Sequence, residues 1–310
     1  MADQIVLDVQ HLQKKFGKFQ ALKDINLQVR QGEVVGFIGP NGAGKSTTIR
    51  TILGMLKADG GVVKVFGEDA WSQAVQIHQR LAYVPGDVYL WPNFTGGQTI
   101  DLLLKMSKQQ HSAKTDELIK KFELDPTKKN QTYSKGNRQK IALIAALSCD
   151  VDFYIFDEPT SGLDPLNEII FQAEVVRLKD EGKAILLSSH ILSEVEKMGD
   201  TIAIIRQGTI IESGSLDEMR HLTRTNVNVS STGELSTLKD LSGVHQFKLI
   251  DDSKNKAEFS VDSDALQAVM QVLTDKGITN IQVAPPTLED LFMRYYGDTD
   301  VEPEVNKHVQ

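Results

Sequence analysis

Gly39-Pro40-Asn41-Gly42-Ala43-Gly44-Lys45-Ser46 is a full match to the pattern GxxxxGK[ST], set between an apolar run and a helical one. Upstream, Glu33-Val34-Val35-Gly36-Phe37-Ile38 has the continuous apolar character of a buried parallel strand. Downstream, Lys45 to Leu56 has the spacing of a helix. Glycines at these positions let backbone N–H groups curl around phosphate oxygens, and the start of the helix adds a favourable dipole. Lys45 is placed to reach the β- and γ-phosphates, and the Ser46 hydroxyl is placed to hold Mg²⁺. With average residue frequencies, four fixed positions arise by accident in roughly one protein of this length in a hundred. Placement between strand and helix lowers that further. The expected triphosphate cradle is therefore Gly39, Asn41, Gly42, Gly44, Lys45, Ser46 and Thr47.

The surroundings extend this into a fold. Ile5 to Val9 and Ala21 to Val29 alternate like strands, and further apolar strands are expected at Leu81–Val84, Phe153–Phe156, Ala184–Ser188 and Ile202–Ile205. Helical patterns separate them, which predicts an α/β domain with a largely parallel sheet. Residues 87–150 are mostly helical, as if a helical lobe were inserted. Past residue 222 the character changes. Asn226–Ser230, Gln246–Ile250 and Ala257–Val261 alternate like strands, and Ala265–Asp275 reads as an amphipathic helix. Thr287-Leu288-Glu289-Asp290 has capping-box spacing, with Leu288, Leu291, Phe292 and Tyr295 following on one helical face, and the tail from Asp298 is polar. Residues 1–222 and 223–310 are the expected domains, the second a small α+β accessory domain.

Composition narrows the function. The 310 residues carry 34 Lys plus Arg against 42 Asp plus Glu, a net charge of −8, without the positive field of a dedicated nucleic-acid binder. The longest unbroken apolar run is Ile141–Leu147, where a membrane span needs about twenty residues. If the protein works on a membrane, another chain must cross it. Cys149 is the only cysteine, which excludes an intrachain disulfide, and the seven histidines are scattered rather than set at metal-ligand spacing. No secretory signal is expected at the start, Met1-Ala2-Asp3-Gln4, and a cytosolic location is.

A second chemical element is Phe153-Tyr154-Ile155-Phe156-Asp157-Glu158, an apolar strand ending in two acids. Beside a phosphate-binding loop, Asp157 can support Mg²⁺ opposite Ser46, and Glu158 can orient or deprotonate an attacking water. One acid at a strand end is ordinarily just solvated; two after such a strand, beside such a loop, are not.

At this point the pattern resembles the ATP-binding cassette (ABC) ATPases. Asp157-Glu158-Pro159-Thr160-Ser161-Gly162-Leu163-Asp164-Pro165 is similar to their Walker B and D-loop run. Ser189-His190 resembles the switch histidine, and Tyr133-Ser134-Lys135-Gly136-Asn137-Arg138-Gln139 sits where the signature LSGGQ belongs. Phe16-Gly17 resembles the aromatic that stacks on adenine, a contact needing no hydrogen bond. What the resemblance implies is a P-loop NTPase cassette with an antiparallel β subdomain and a helical lobe, acting as a Mg-dependent ATPase. Glu158, His190 and Lys45 would be catalytic, Ser46 and Asp157 would hold Mg, and Phe16, Ser134, Gly136 and Asp164 would join the cradle in binding ATP. Ser134 and the N–H groups from Gly136 to Arg138 form a second helix start suited to an anion. The resemblance resolves this by head-to-tail dimerisation, homo- or heterodimeric, with each ATP between the loop of one copy and the signature of the other.

Two positions depart from the pattern. Gly86 stands after Tyr83-Val84-Pro85 where the family has the Q-loop glutamine, so that role is vacant or passes to Asp87. The signature reads YSKGN, and Lys135 adds a charge expected beside the γ-phosphate position. The SKG signature and the Pro286–Phe292 run resemble separate-chain ATPases of bacterial drug exporters, which implies a permease partner, peripheral association at the cytoplasmic face of the cell membrane, and no nucleic acid. A soluble cassette factor bound to a cytosolic partner is the alternative. Trp91 and Phe94 are expected either to pack the lobe's core or to line a groove for that permease.

Overall fold

The computed structural model describes residues 4–216, 218, 224–251, 253–262 and 264–284. Its contacts divide the chain into Met1–Ser215 and Leu216–Gln310. The expected capping box and amphipathic face at 287–295, and the polar tail, lie outside the described residues.

In the first unit, β1 (Ile5–Phe16) and β2 (Phe19–Arg30) form an antiparallel hairpin, turning at Gly17 so that Phe16 pairs with Phe19. Alternation sends Leu7 and Val9 from one strand and Ile25, Leu27 and Val29 from the other into a shared core, and a register shift between Val9 and Leu12 brings Leu12 in as well. β4 (Gly60–Val65) and the short β5 (Glu68–Asp69) extend this antiparallel region. The chemistry-bearing strands are β3 (Val34–Ile38), β6 (Leu81–Val84), β7 (Phe153–Asp157), β8 (Ala184–Ser189) and β9 (Thr201–Arg206). They run parallel in the order β9-β3-β8-β7-β6, and β10 (Thr209–Ser215) joins them to the hairpin to complete a ten-stranded sheet. β3, β7 and β8 are buried at every residue, as their unbroken apolar runs require when helices cover both faces.

The register decides where function sits. Ile38 lies beside Ser189, Asp157 beside Ser188, and Val84 beside Phe156. Four loops therefore leave the carboxyl ends of adjacent strands at one level: residues 39–44 after β3, Glu158 after β7, His190 after β8, and Pro85-Gly86 after β6. That is where open parallel sheets place ligands.

The helix after β3, α1 (Lys45–Ile52), is shorter than the expected Lys45–Leu56. Gly54 takes φ +65 and turns the chain, and a Cβ there would meet the Ala70 carbonyl at 2.4 Å. Between β4 and the lobe lies α2 (Ala74–Ile77). The lobe comprises α3 (Gly96–Met106), α4 (Ala113–Lys121) and α5 (Lys135–Ser148). α3 starts with a complete Thr95–Gln98 capping box. α5 is buried from Gln139 to Ser148, and its Lys140 ammonium donates to the Phe122 carbonyl at 2.8 Å, so even its polar side chain is satisfied. α6 (Pro165–Asp180) and α7 (Leu192–Met198) complete the unit. Glu174 of α6, almost fully buried, accepts from Lys121 of α4 at 3.0 Å and from Arg177 at 2.8 Å, tying the lobe to the sheet's flank.

The second unit has an antiparallel sheet in the order β12-β13-β11-β14, built from β11 (Thr225–Ser231), β12 (Val244–Leu249), β13 (Lys256–Val261) and β14 (Ile278–Ala284). α8 (Leu266–Asp275) supplies Val269 and Leu273 to a core with Val227, Val229, Phe259 and Val261. Arg224 and His245 both donate to the Asp262 carboxylate at 2.8 Å, which holds it below the usual carboxylate range.

Candidate functional site

The glycine-rich loop is shaped by close approach. A Cβ at Gly39 would lie 2.4 Å from the Ile205 carbonyl oxygen, and one at Gly44 would lie 2.8 Å from Leu22 Cδ2. Gly44 caps α1 at φ +118 with no side-chain hydrogen bond, and the first turn contains no acid. The first N–H groups of α1 thus open onto the loop without a side-chain acceptor, the arrangement that suits an anion. Asn41, Gly42 and Ser46 are exposed there, and Thr47 is half-buried.

Lys45 is buried and folds back over the loop. Its ammonium donates to the Gly39 carbonyl at 2.5 Å and to Pro40 at 3.5 Å, and lies 3.2 Å from Glu158 Oε1. Glu158 Oε2 lies 2.5 Å from Nδ1 of His190. One carboxylate therefore stands between an ammonium and an imidazole, and three residues scattered in sequence meet. Glu158 Oε1 is buried with no hydrogen bond of its own beyond this ion pair, which leaves it an acceptor in want of a donor. Glu158 sits at φ +50, a left-handed conformation uncommon for a residue with a side chain. Its N–H donates to the Ser188 carbonyl at 3.1 Å and to Ser188 Oγ at 3.2 Å. The same Ser188 hydroxyl donates to Asp157 Oδ1 at 2.5 Å. Asp157 is buried, and the Tyr83 phenol's own burial, with the Asp157 charge second, pushes it up to about 12.

The signature and D-loop residues form a second group. Ser134 caps α5 and accepts from Asn137 N–H at 3.3 Å. Gly136 packs so tightly on the D-loop that a Cβ would meet the Gly162 carbonyl at 2.2 Å. Asp164 caps α6, and the Asn167 N–H donating to it lowers its pKa. Among the described residues, no hydrogen bond or ion pair joins Ser134, Gly136 or Asp164 to the Lys45–Glu158–His190 group. Lys135 turns to its own chain: its ammonium donates to Ser161 Oγ at 2.8 Å and lies 3.8 Å from Asp87. Gly86 faces the two acids ending β7, where a Cβ would lie 3.2 Å from the Asp157 carbonyl and 3.3 Å from Glu158 Cβ. A larger residue would crowd Glu158, which gives the glycine a steric role where a glutamine was expected.

Phe16 is 47% exposed at the end of the hairpin, with the Lys14 ammonium 5.6 Å from its ring centre, so it is not a core residue. Trp91 and Phe94 are likewise half-exposed and tilt against each other at 6.0 Å. Their exposure overturns the expectation that they pack the lobe's core. An apolar groove at the lobe is lined by Met55, Tyr83, Tyr89, Leu90, Leu103 and Met106, among others.

Sequence reasoning missed Ser188 and a buried cluster behind the loops. Glu194 of α7 accepts from Thr160 Oγ1 at 2.9 Å and from Ser189 Oγ at 3.0 Å, and burial pushes its carboxyl up. The available signal was the pair of serines ending the apolar strand before His190.

Comparison with known proteins bears on this geometry. Residues 22–161 match the ABC transporter family, and residues 214–296 match the family described as ATP-binding protein DrrA1-3-like, C-terminal domain. The daunorubicin resistance ATP-binding protein DrrA3 of Streptomyces coeruleorubidus is 31% identical over 313 residues, covering 96% of this chain and 98% of its own. The chain belongs to the ABC transporter ATP-binding proteins. The linearmycin resistance ATP-binding protein LnrL of Bacillus subtilis (strain 168) is 30% identical, covering 95% of the cassette chain and 99% of its own. A solved ATP-binding subunit of an ABC transporter superposes with a TM-score of 0.65 at 30% identity, over 70% of this chain and 92% of that one. A dimeric bacterial ABC cassette, at 22% identity and a TM-score of 0.61, shares the fold over 68% of this chain and 98% of its own. The ABC ATPase fold expected from the sequence is the fold observed. Among the described residues, no helix is long and apolar enough to cross a membrane.

Proposed function

We propose that this cassette hydrolyses ATP in a Mg-dependent reaction, as a dimer, to drive a separate membrane-spanning permease in export. The observation that carries the catalytic part is the carboxylate of Glu158, held between Lys45 and His190 at the carboxyl ends of β3, β7 and β8. The α1 N–H groups and Gly39, Asn41, Gly42, Gly44 and Thr47 would cradle the phosphates, and Phe16 would stack on the adenine. Phosphate oxygens would replace Glu158 as the acceptor for the Lys45 ammonium, freeing Oε1 for water. Glu158 takes the proton from the attacking water as its oxygen bonds to the γ-phosphorus and the bond to the β-γ bridging oxygen breaks. His190, bonded to Glu158, orients that carboxylate and faces the transferred group. The hydroxyl of Ser46 and the carboxylate of Asp157 are the hard oxygen donors Mg²⁺ prefers, and both lie at this end of the sheet. Bound there, the ion would supply neutralisation of phosphate charge.

Ser134, Gly136 and Asp164 would complete the site of a second copy, homo- or heterodimeric, since in their own chain they stand apart from the Lys45 group. The groove lined by Tyr89, Leu103 and Met106 suits an apolar element of the permease, which would hold the cassette at the cytoplasmic face of the membrane. Export is supported by the full-length similarity to two proteins named for drug resistance. Replacing Glu158 by Gln should lower ATPase turnover by about 10³-fold while leaving ATP affinity within a few-fold. Unchanged turnover would remove Glu158 from the chemistry. Co-purification with a polytopic membrane protein would support the transport role, and recovery only with a soluble partner would overturn it.

A further inference from the structure

His190 and Glu158 lie on different loops, each at the end of its own strand, yet their side chains meet at 2.5 Å. Both loops are open on the ligand side, where His190 is half-exposed. Behind them is a single fixed point. Ser189 Oγ accepts from the N–H of Ile191 at 2.9 Å, which closes the turn with His190 at its apex. That hydroxyl's proton goes to Glu194 Oε2 at 3.0 Å. The same carboxylate oxygen accepts at 2.9 Å from Thr160 Oγ1, two residues beyond Glu158. Thr160 in turn anchors the next bend, its carbonyl accepting from Leu163 N–H at 2.9 Å, while Ser161 N–H closes on the Glu158 carbonyl at 3.2 Å. Glu194, Thr160 and Ser189 are all buried, so these bonds are sheltered from water and act as a rigid brace.

We infer that Glu194 is a positioning residue: one carboxylate, gripping the Thr160 and Ser189 hydroxyls, sets Glu158 and His190 in register for the attack on ATP. This rests on the ATPase reading above, in which Glu158 takes the water's proton. Glu194 touches neither substrate nor reacting atoms, and it acts through the two loops alone. It differs from Ser188, which fixes Asp157 and the Glu158 backbone but, among the described residues, makes no side-chain hydrogen bond to the His190 turn.

The test is steady-state ATPase kinetics, ATP affinity and melting temperature for Thr160→Val, Ser189→Ala, Glu194→Ala and Glu194→Gln, with Glu158→Gln alongside. A misplacement of around 1 Å can cost about 10²-fold in rate, so Thr160→Val and Ser189→Ala should each lower kcat by about 3- to 10-fold and Glu194→Ala by about 10- to 100-fold. KM and ATP affinity should stay within about twofold in all of them, because the α1 cradle is untouched. Glu194→Gln should recover most of the rate, since its amide oxygen accepts from both hydroxyls. If Glu194→Ala does not fold, Thr160→Val, nearly the same shape, and Ser189→Ala carry the test. Wild-type kcat in those two overturns the brace, as does a fall in kcat matched by an equal loss of ATP affinity, or a Gln variant as slow as the Ala one. An active Glu158→Gln enzyme would instead sink the ATPase reading. An inactive one beside wild-type Thr160→Val and Ser189→Ala would sink the brace alone.

Discussion

Two helix starts in this molecule are suited to anions, and they are built differently. α1 begins at Gly44 with no side-chain cap, directly after a loop whose glycines press against Ile205 and Leu22. α5 begins at Ser134, whose side chain already accepts from Asn137 N–H, and the lysine of its first turn is spent on Ser161. The first has its own lysine, carboxylate and histidine within reach of one another; the second has packed glycines and a D-loop for company. A complete cradle and a partial one on the same chain fit the proposed division of the site between two copies, in which the first half would hold the nucleotide and the second would close over it.

The largest expected effect lies at the complete half. Lys45→Ala should weaken ATP binding by at least about 100-fold in a titration of the isolated cassette, since charge-assisted contacts to phosphate are the strong ones and Glu158 would lose its buried partner. A loss under tenfold would mean the two helix starts share the nucleotide more evenly than proposed. Ser134→Ala comes next. Loss of the cap should cost about 1 kcal/mol of stability, and turnover should fall about tenfold while nucleotide affinity of the single chain is unchanged. Impaired binding by the lone chain would place the α5 start in the primary cradle and erase the contrast.

The smallest effect tests the lobe that carries α5. His111 lies 2.6 Å from Asp101 and 3.0 Å from Asp116. The hydrogen bond to Asp116, followed by that to Asp101, raises it above its ordinary 6.5. A folded-state histidine raised in this way contributes stability below the unfolded value and loses it as pH rises through the folded one. Relative to His111→Asn, the wild type should therefore melt about 1 °C higher at pH 6, and the gap should vanish toward pH 8; the pair is partly exposed, which keeps the effect small.

Much of the fold was legible because its deciding strands are unbroken apolar runs. β6 falls where the spacing puts it, and β7, β8 and β9 differ from expectation only at their ends. Among the strands that escaped notice are β4, β10 and β14, whose residues are largely polar or half-exposed and whose strand character comes from pairing with distant partners. Pairing is a long-range property, and local alternation reports it only where one face is buried. At the site, Lys45 and Glu158 were readable from type and placement, and His190 only through the family resemblance. The brace at Glu194 was not, because an acid in a helix's first turn usually faces solvent, and only the meeting of two loops makes this one a buried acceptor. The turn of Lys135 toward Ser161 and Asp87 of its own chain was not legible for the same reason: both come from other strand ends.

Cys149 closes α5 at 4% exposure, and burial pushes its thiol up. With no other sulfhydryl in the chain, maleimide chemistry at neutral pH should leave the native protein almost unlabelled. A cysteine placed at the exposed end of the hairpin or on Lys135 would then be the sole attachment point. Fluorophores or spin labels introduced there could report in real time whether the two proposed halves of the nucleotide site approach each other, with no background mutations needed.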